Sequence, residues 1–306
     1  MLSTRNSSGW LDFEAVIAGA KARAREPGRE GVTMVIDTGL GVAQVADILR
    51  IAGSHIDHWK FGFGTSAVTP GYILKRKLDI LRSQGILTYP GGTLFEALIL
   101  RDDSKDYFHQ ARKLGFDAVE ISDGTVPLDR MRRGSLIAEA REAGLIVITE
   151  VGSKDPQRQL PIASVVEQIH KDLDAGAEWV IVEGRECGAG IGIYDDHGSI
   201  RSDLFLRLVS DLGDCLDRVI WEAPRKAQQA ELIRYFGPNV NLGNIETTQC
   251  LALEALRRGL RFETLRHVAA EKLSMRDLSA HKGSTGKDRK QAFDIPIVSG
   301  TANDVY

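Results

Sequence analysis

Four glutamates follow short apolar runs at regular intervals, in the contexts VEIS, ITEV, IVEG and IWEA: Glu120, Glu150, Glu183 and Glu222. Carboxylates that lie close together cannot all be ionised unless cations lie nearby. Mg²⁺ takes one or two carboxylates and leaves its other positions to water and substrate oxygens. The pattern therefore predicts a magnesium site, with Asp37 at the end of the first apolar run as a further ligand. The alternative is that each glutamate pairs with a neighbouring Lys or Arg and has only a structural role.

Three basic residues occupy comparable positions. Lys60 lies inside the run IDHWKFG, Lys154 follows the run that ends at Glu150, and Arg185 follows Glu183. A buried lysine is almost never unpaired, so Lys60 needs an acidic partner in either a structural or a functional role. Together with the glutamates, these cations predict a site for an anionic substrate.

Glycine-containing turns are the predicted phosphate-binding elements. Gly91 and Gly92 in PGGTLFE open a helix, and a helix N-terminus attracts negative charge. Arg225 in EAPRKAQQ stands at another helix start, where a basic residue opposes the helix dipole unless a ligand compensates it. Gly243 and Asn244 in NLGNIE add backbone amides. The alternatives are an ordinary Gly-Gly turn and solvation of Arg225 at the surface.

Eight short runs rich in β-branched residues carry these positions, and an amphipathic stretch of helical length separates most of them. Strands that are apolar on both faces and alternate with helices form a parallel sheet covered by helices. The runs span residues 32–37, 56–62, 85–90, 117–122, 145–150, 178–183, 218–222 and 239–243.

Eight such units fit a closed α/β barrel, the (β/α)8 TIM barrel, in which catalytic groups lie at the C-terminal ends of the strands. An open doubly wound sheet is disfavoured because no Gly-rich dinucleotide turn follows the first strand. We predict a single barrel domain over residues 32–268. An N-terminal extension of residues 1–31, with a helix over 10–24, and a polar C-terminal tail of residues 269–306 flank it.

Composition limits the functional classes. The 39 Lys and Arg against 42 Asp and Glu give 306 residues a net charge of −3, which excludes a broadly basic surface for nucleic acid. No apolar run approaches the roughly 18 residues of a membrane span, so we expect no membrane partner. The 3 cysteines are too few for a disulfide framework, which favours a cytoplasmic location. We expect the chain to form a homo-oligomer.

The strings VIDTGL, DHWKFGFGTSAV, YPGGTLFE, VEISDGT, ITEVGSKDP, DAGAEWVIVEGRECGAGIGIYD, WEAPRKAQQ, NLGNI and LEALRRGLRFET, in this order, closely resemble the phosphosulfolactate synthase family. The resemblance runs over residues 33–268. It implies a (β/α)8 barrel that uses Mg²⁺ to add sulfite to phosphoenolpyruvate, giving (2R)-O-phospho-3-sulfolactate in the first step of coenzyme M biosynthesis. It also implies that Lys154 is the general acid and that Lys60 and Arg185 hold substrate anions, with Glu150 beside them among the catalytic residues.

Three positions depart from the family pattern. Thr38, Ser153 and Ala189 stand where the family usually has lysine, which predicts fewer positive charges around the site. The departures are consistent with altered anion affinity, with a different nucleophile, or with replacement of the missing charge by Arg225 and the tail. The family also includes a plant heat-stress branch. A non-catalytic stress-related homologue and a phosphoenolpyruvate-using enzyme with another nucleophile are therefore the alternatives.

Overall fold

Eight parallel strands alternate with helices around a nearly closed barrel, which confirms the predicted fold. The structure is a computed structural model that describes residues 31–101, 104–266 and 269–270. The predicted helix over residues 10–24 and all but the first two residues of the predicted tail lie outside the described residues. The strands are β1 (Thr33–Asp37), β2 (His58–Phe61), β3 (Leu87–Pro90), β4 (Ala118–Ile121), β5 (Ile146–Val151), β6 (Trp179–Val182), β7 (Val219–Glu222) and β8 (Leu242–Glu246).

Helices cover the outside of the barrel. One of them begins after Asp129, whose side chain accepts hydrogen bonds from the N–H groups of Met131 and Arg132. Another ends at Gly176, which adopts the left-handed conformation of a helix C-cap. The helices are α1 (Val42–Ala52), α2 (Thr65–Val68), α3 (Gly71–Ser83), α4 (Gly92–Ile99), α5 (Ser104–Leu114), α6 (Arg130–Glu142), α7 (Ile162–Ala175), α8 (Ser202–Leu212), α9 (Lys226–Phe236) and α10 (Cys250–Arg257).

The strands follow one another around the ring in the order β3-β2-β1-β8-β7-β6-β5-β4. All seven pairs of neighbours in this order are parallel. Between β3 and β4, the N–H of Asp117 donates to the Thr88 carbonyl at 3.1 Å, which brings the two ends of the sheet together. The C-terminal ends of all eight strands therefore meet at one mouth of the barrel.

Alternation along each strand separates two apolar layers. Met34, Ile148, Ile181 and Ile220 belong to a small cluster inside the barrel. Residues adjacent to them along the strands, such as Val35, belong to a larger cluster beneath the helices. Because side chains of a strand point alternately to opposite faces, the parity of each position decides whether a strand-end residue faces the interior.

The eighth strand begins later than predicted, at Leu242 rather than at residue 239. Asn241, just before it, is occupied in joining neighbouring segments. Its Oδ1 accepts from the N–H of Val32 at 2.9 Å, and its Nδ2 donates to the carbonyls of Asp217 and Val219. Position 243 therefore lies inside the strand and not in the loop after it.

Candidate active site

Five buried charged residues point into the barrel mouth from five different strands or strand ends. Lys60, Glu120, Glu150 and Glu222 lie on β2, β4, β5 and β7 at inward-facing positions, and Glu183 directly follows β6. All five line one cavity of about 350 Å³, together with Lys154 and Arg185 from the following loops. The structure thus brings together seven of the predicted acids and cations.

Lys60 lies at the centre of the acidic group. Its Nζ is 2.9 Å from Glu120 Oε2, 3.1 Å from Glu150 Oε2 and 3.3 Å from Glu222 Oε1. Burial opposes the charged ammonium, but the three carboxylates outweigh burial and raise the pKa of Lys60 well above its ordinary value. Lys60 is therefore a fixed positive charge within the barrel.

Lys154 reaches the same acids from the loop after β5. Its Nζ lies 2.5 Å from Glu150 Oε1 and 3.2 Å from Glu183 Oε2. Burial lowers the pKa of Lys154, but the carboxylates of Glu150 and Glu183 outweigh burial and raise it above its ordinary value. The side chain remains 29% exposed, and it also lines a second cleft between the loops after β4 and β5. Lys154 is therefore protonated and accessible to a ligand.

The glutamates differ in their proton affinity. Burial raises the pKa of Glu120 to about 7, although Lys60 acts against it. Burial and the neighbouring acids Glu150 and Glu222 raise the pKa of Glu183 well above its ordinary value. Burial also acts on Glu150, but the two lysines beside it lower its pKa well below the ordinary value. Glu183 therefore binds a proton more readily than Glu150 does.

Three of the acids could hold a metal ion. One carboxylate oxygen from each of Glu150, Glu183 and Glu222 lies within 4.8 Å of the other two. Carboxylate oxygens are hard donors of the kind that Mg²⁺ prefers. Burial and the neighbouring carboxylates disfavour the negative charge of Glu183, and a cation bound beside it would favour that charge. The donor set therefore fits a divalent cation.

Asp37 does not belong to this group, which corrects the prediction that it binds the metal. It stands at an outward-facing position at the end of β1, one residue after Ile36, which lines the cavity. Its Oδ2 lies 2.6 Å from Lys77 Nζ and accepts from Trp59 Nε1, while its Oδ1 accepts from the N–H groups that follow β1. Asp37 instead pins α3 to the outside of the barrel.

Gly91 and Gly92 line the cavity, but their N–H groups are bonded within the protein. The N–H of Gly91 donates to the Phe61 carbonyl at 2.9 Å, and that of Gly92 donates to Glu120 Oε1 at 2.7 Å. A Cβ atom at position 92 would lie 2.4 Å from the Cβ of Ser122. The Gly-Gly pair therefore allows α4 to approach the acidic group, and these two amides are not free for phosphate.

Of the three positions predicted near β7 and β8, only Asn244 lies at the cavity. A Cβ at Gly243 would meet the side chain of Met34, so this position packs against the barrel interior. The guanidinium of Arg225 donates to two loop carbonyls, those of Cys187 and His197. Positive charge at the mouth thus comes from the β2, β5 and β6 sides rather than from the β7 and β8 loops.

Three residues with unfavourable backbone angles surround the cavity. Phe63 (φ 54°), Arg185 (φ 57°) and Asn244 (φ 53°) are the non-glycine residues with positive φ among those described, and all three line it. Such conformations cost about 1–3 kcal/mol each and cluster where function requires them. Asn244 is also buried, and its Oδ1 has no hydrogen-bond partner in the described part of the chain. Its side chain is available to a ligand.

The three departures from the family pattern lie away from the cavity wall. Its lining residues include neither Thr38 nor Ser153 nor Ala189. The Oγ of Ser153 accepts from the N–H of Asp155 at 3.1 Å, a contact within its own loop. The cations that do line the cavity, Lys60, Lys154 and Arg185, are all retained.

Glu96 was not among the predicted site residues. It is buried on α4, where its Oε1 accepts from Ser122 Oγ at 2.7 Å and its Oε2 accepts from the N–H groups of Thr125 and Val126. Its Oε1 lies 3.9 Å from Lys154 Nζ. Its position one turn into the helix that follows the Gly-Gly pair could have indicated that it lies near the site. Glu96 holds the loop after β4 against the site.

A (β/α)8 barrel with buried acids and lysines at the C-terminal strand ends defines a barrel enzyme. The chain belongs to the family described as (2R)-phospho-3-sulfolactate synthase (ComA), whose model matches residues 21–263. The resemblance seen in the sequence and the expectation of an enzyme of this kind are both confirmed.

Individual relatives agree with this assignment. The phosphosulfolactate synthase of Methanothermobacter thermautotrophicus is 45% identical over 245 residues, covering 79% of this chain and 94% of the relative. Protein HEAT-STRESS-ASSOCIATED 32 of Arabidopsis thaliana is 24% identical over 276 residues, covering 81% of this chain and 91% of the plant protein.

Solved structures give the fold alone. The 3-keto-L-gulonate-6-phosphate decarboxylase of Vibrio cholerae has a TM-score of 0.50 and 10% identity, and the match covers 78% of this chain and 98% of that one. Among the described helices, none is long and apolar enough to cross a membrane.

Proposed function

We propose that this enzyme adds sulfite to phosphoenolpyruvate in an Mg²⁺-dependent reaction that gives (2R)-O-phospho-3-sulfolactate, the first step of coenzyme M biosynthesis. The observation that carries the proposal is the cavity in which Lys60, Lys154 and Arg185 face a group of buried carboxylates. The family match and the synthase from M. thermautotrophicus support it. Both substrates are anions, so cations must hold them side by side against their mutual repulsion.

The cations have separate tasks in this proposal. Lys60 is locked among three carboxylates and contributes a positive field from below. Arg185 has only a 4.0 Å contact with Glu186 among the ion pairs of the described chain, so its planar group can bind a substrate oxyanion. Asn244 lines the same cavity, where its Oδ1, unpartnered among the described residues, can accept a hydrogen bond from a protonated group of the ligand.

Glu150, Glu183 and Glu222 would hold the Mg²⁺, because their oxygens lie close enough together and are hard donors. When bound, Mg²⁺ would supply a Lewis acid that stabilises negative charge on the substrate carboxylate. Because burial and neighbouring acids raise the pKa of Glu183, metal binding there would favour the ionised carboxylate and compete with protons.

The chain itself supplies the proton. The lone pair on the sulfur of sulfite forms a bond to C3 of phosphoenolpyruvate, and the electrons of the C2–C3 double bond move toward C2 and the carboxylate. Lys154 then transfers the proton from its Nζ to C2. Because Lys154 lies on one side of the cavity and is held by Glu150 and Glu183, it can deliver the proton to one face only, giving a single configuration.

The direct test uses the purified full chain with phosphoenolpyruvate, sulfite and MgCl₂. We expect a new phosphorylated product with a carbon–sulfur bond, which ³¹P NMR and mass spectrometry detect. EDTA should stop its formation, and added Mg²⁺ should restore it. A product formed with another nucleophile but not with sulfite would favour the alternative chemistry. Failure to bind phosphoenolpyruvate in calorimetry would contradict the proposal. It would favour the alternative of a non-catalytic stress-related protein.

We further propose that the enzyme is cytoplasmic and homo-oligomeric. The cysteines of the described chain, Cys187, Cys215 and Cys250, are free thiols, which agrees with a reducing compartment. Light scattering coupled to size-exclusion chromatography tests the oligomeric state, and a mass of about 33.6 kDa would contradict it.

A further inference from the structure

Arg225, at the start of α9, bonds to both arms of a long loop. This loop, residues 183–201 between β6 and α8, is called here the β6 loop. The Nε of Arg225 donates to the carbonyl of Cys187 at 2.7 Å, and its Nη1 donates to that of His197 at 2.6 Å. One planar guanidinium therefore ties the outgoing arm of the loop to its returning arm.

Gln228 repeats this pattern one turn further along α9. Its Nε2 donates to the carbonyl of Gly188 at 2.8 Å and to that of Gly198 at 3.0 Å. Its Oε1 accepts from the N–H of Arg225 at 3.1 Å, so the two side chains form one unit. Gln228 is buried, and both bonds of its Nε2 join the loop to α9.

The fit around these two side chains is close. A Cβ at Gly188 would lie 2.7 Å from Gln228 Oε1, and a Cβ at Gly198 would come closer still to Arg225 Nη1. Both glycines also have positive φ, +60° and +86°. The β6 loop thus has glycine at the two points where side chains of α9 cross its backbone.

The held loop carries residues of the active site at its beginning. Arg185 lines the cavity with a positive φ, and its N–H donates to Glu183 Oε1 at 2.7 Å. A non-glycine residue keeps such a conformation only when surrounding contacts impose it. The bond from Arg225 to the Cys187 carbonyl fixes the backbone two residues after Arg185, and the bond to His197 anchors it to the returning arm of the loop.

We propose that Arg225 is a positioning residue that holds Arg185 in the cavity, and that the substrate anion contacts Arg185 rather than Arg225. Arg225 itself does not line the cavity. Among the described residues, no acidic side chain pairs with its guanidinium, which donates to two loop carbonyls. The proposal deepens the proposed function and depends on it only where turnover is measured.

The first test needs no activity. Arg225→Gln removes the fork that spans the two arms, so trypsin should cut after Arg185 at least about tenfold faster than in the wild type. Lys226→Gln is the matched control, because it removes a neighbouring positive charge whose partner among the described residues is Glu263. Mass spectrometry identifies the cut, and the thermal midpoint reports folding. An unchanged cleavage rate in a folded Arg225→Gln protein would overturn the proposal.

The second test is a double-mutant cycle with Arg185→Gln. Arg225→Gln should reduce kcat/KM by about 10- to 100-fold in the wild type but have little effect once Arg185 is absent. Arg225→Lys should not restore activity, because an ammonium lacks the planar fork. If the two losses multiply, Arg225 contacts the substrate independently and the proposal is wrong. If no variant turns over substrate, the cleavage test still decides.

Discussion

Lys154 Nζ lies 2.5 Å from Oε1 of Glu150, the residue four positions earlier in the chain. Glu150 is part of β5, whereas Lys154 belongs to the loop that leaves the strand. The loop turns back over the strand end through Gly152, which has a φ of +123°. The second oxygen of Glu150 faces Lys60, so this carboxylate joins the fixed cation to the accessible one.

Substitution Lys154→Met should abolish most turnover. It removes the only proposed proton donor and keeps most of the length of the side chain. We expect kcat to fall by about 10²- to 10⁴-fold, the usual contribution of a general acid. Lys171→Met, at an exposed pair with Glu167, is the control and should keep wild-type kcat. Turnover of Lys154→Met close to the wild-type value would remove the residue from this role.

Asn244→Asp should weaken substrate binding by charge alone. Aspartate has the same shape and also tolerates a positive φ, so the backbone is preserved. A negative charge in the cavity would repel phosphoenolpyruvate and raise its Kd by about 10- to 100-fold, as expected when like charges are placed side by side. Isothermal calorimetry with phosphoenolpyruvate measures this. Equal affinities in the variant and the wild type would show that Asn244 does not contact the substrate.

Gly92→Ala should damage the site, whereas Gly134→Ala should not. The added Cβ at position 92 would lie 2.4 Å from Ser122 Cβ and 2.8 Å from Glu120 Oε1, so α4 must move away from the acids. At position 134, on α6, no atom lies within 4 Å, and alanine should stabilise the helix by about 0.5–1 kcal/mol. Urea unfolding and kcat measured on both variants check the prediction. A fully active Gly92→Ala would contradict the close approach.

His58 should make the barrel sensitive to acid. It is buried inside the barrel against Tyr89 and Trp179, and burial lowers its pKa from 6.5 to about 3. Between pH 6.5 and about pH 3, His58 is therefore protonated in the unfolded chain but neutral in the folded chain. Stability falls as the pH decreases through this range, and the loss from this group between pH 7 and pH 5 should be about 2 kcal/mol.

A His58→Leu variant isolates this contribution. Its free energy of unfolding should decline less between pH 7 and pH 5 than that of the wild type, by about the same 2 kcal/mol. Urea titrations at both pH values measure the difference. Parallel pH profiles would show that His58 is not the responsible group.

Most of the fold could be predicted from the sequence because eight apolar runs separated by amphipathic stretches have few solutions other than a barrel. Seven of the strands lie within or near their predicted runs, while β8 starts at Leu242 because Asn241 is used in joining segments at the strand starts. The four glutamates could be predicted as site residues because each one stands at the C-terminal end of a strand in its βα unit.

The sequence by itself determined the fold class, the family and which acids and lysines belong to the barrel mouth. Only the tertiary structure decided the face on which each side chain lies. Asp37 follows an inward-facing Ile36 and so points to Lys77, since a shift of one residue reverses the face. It also decided that Arg225 bonds to the β6 loop, because that contact joins segments distant in sequence, which no local pattern encodes.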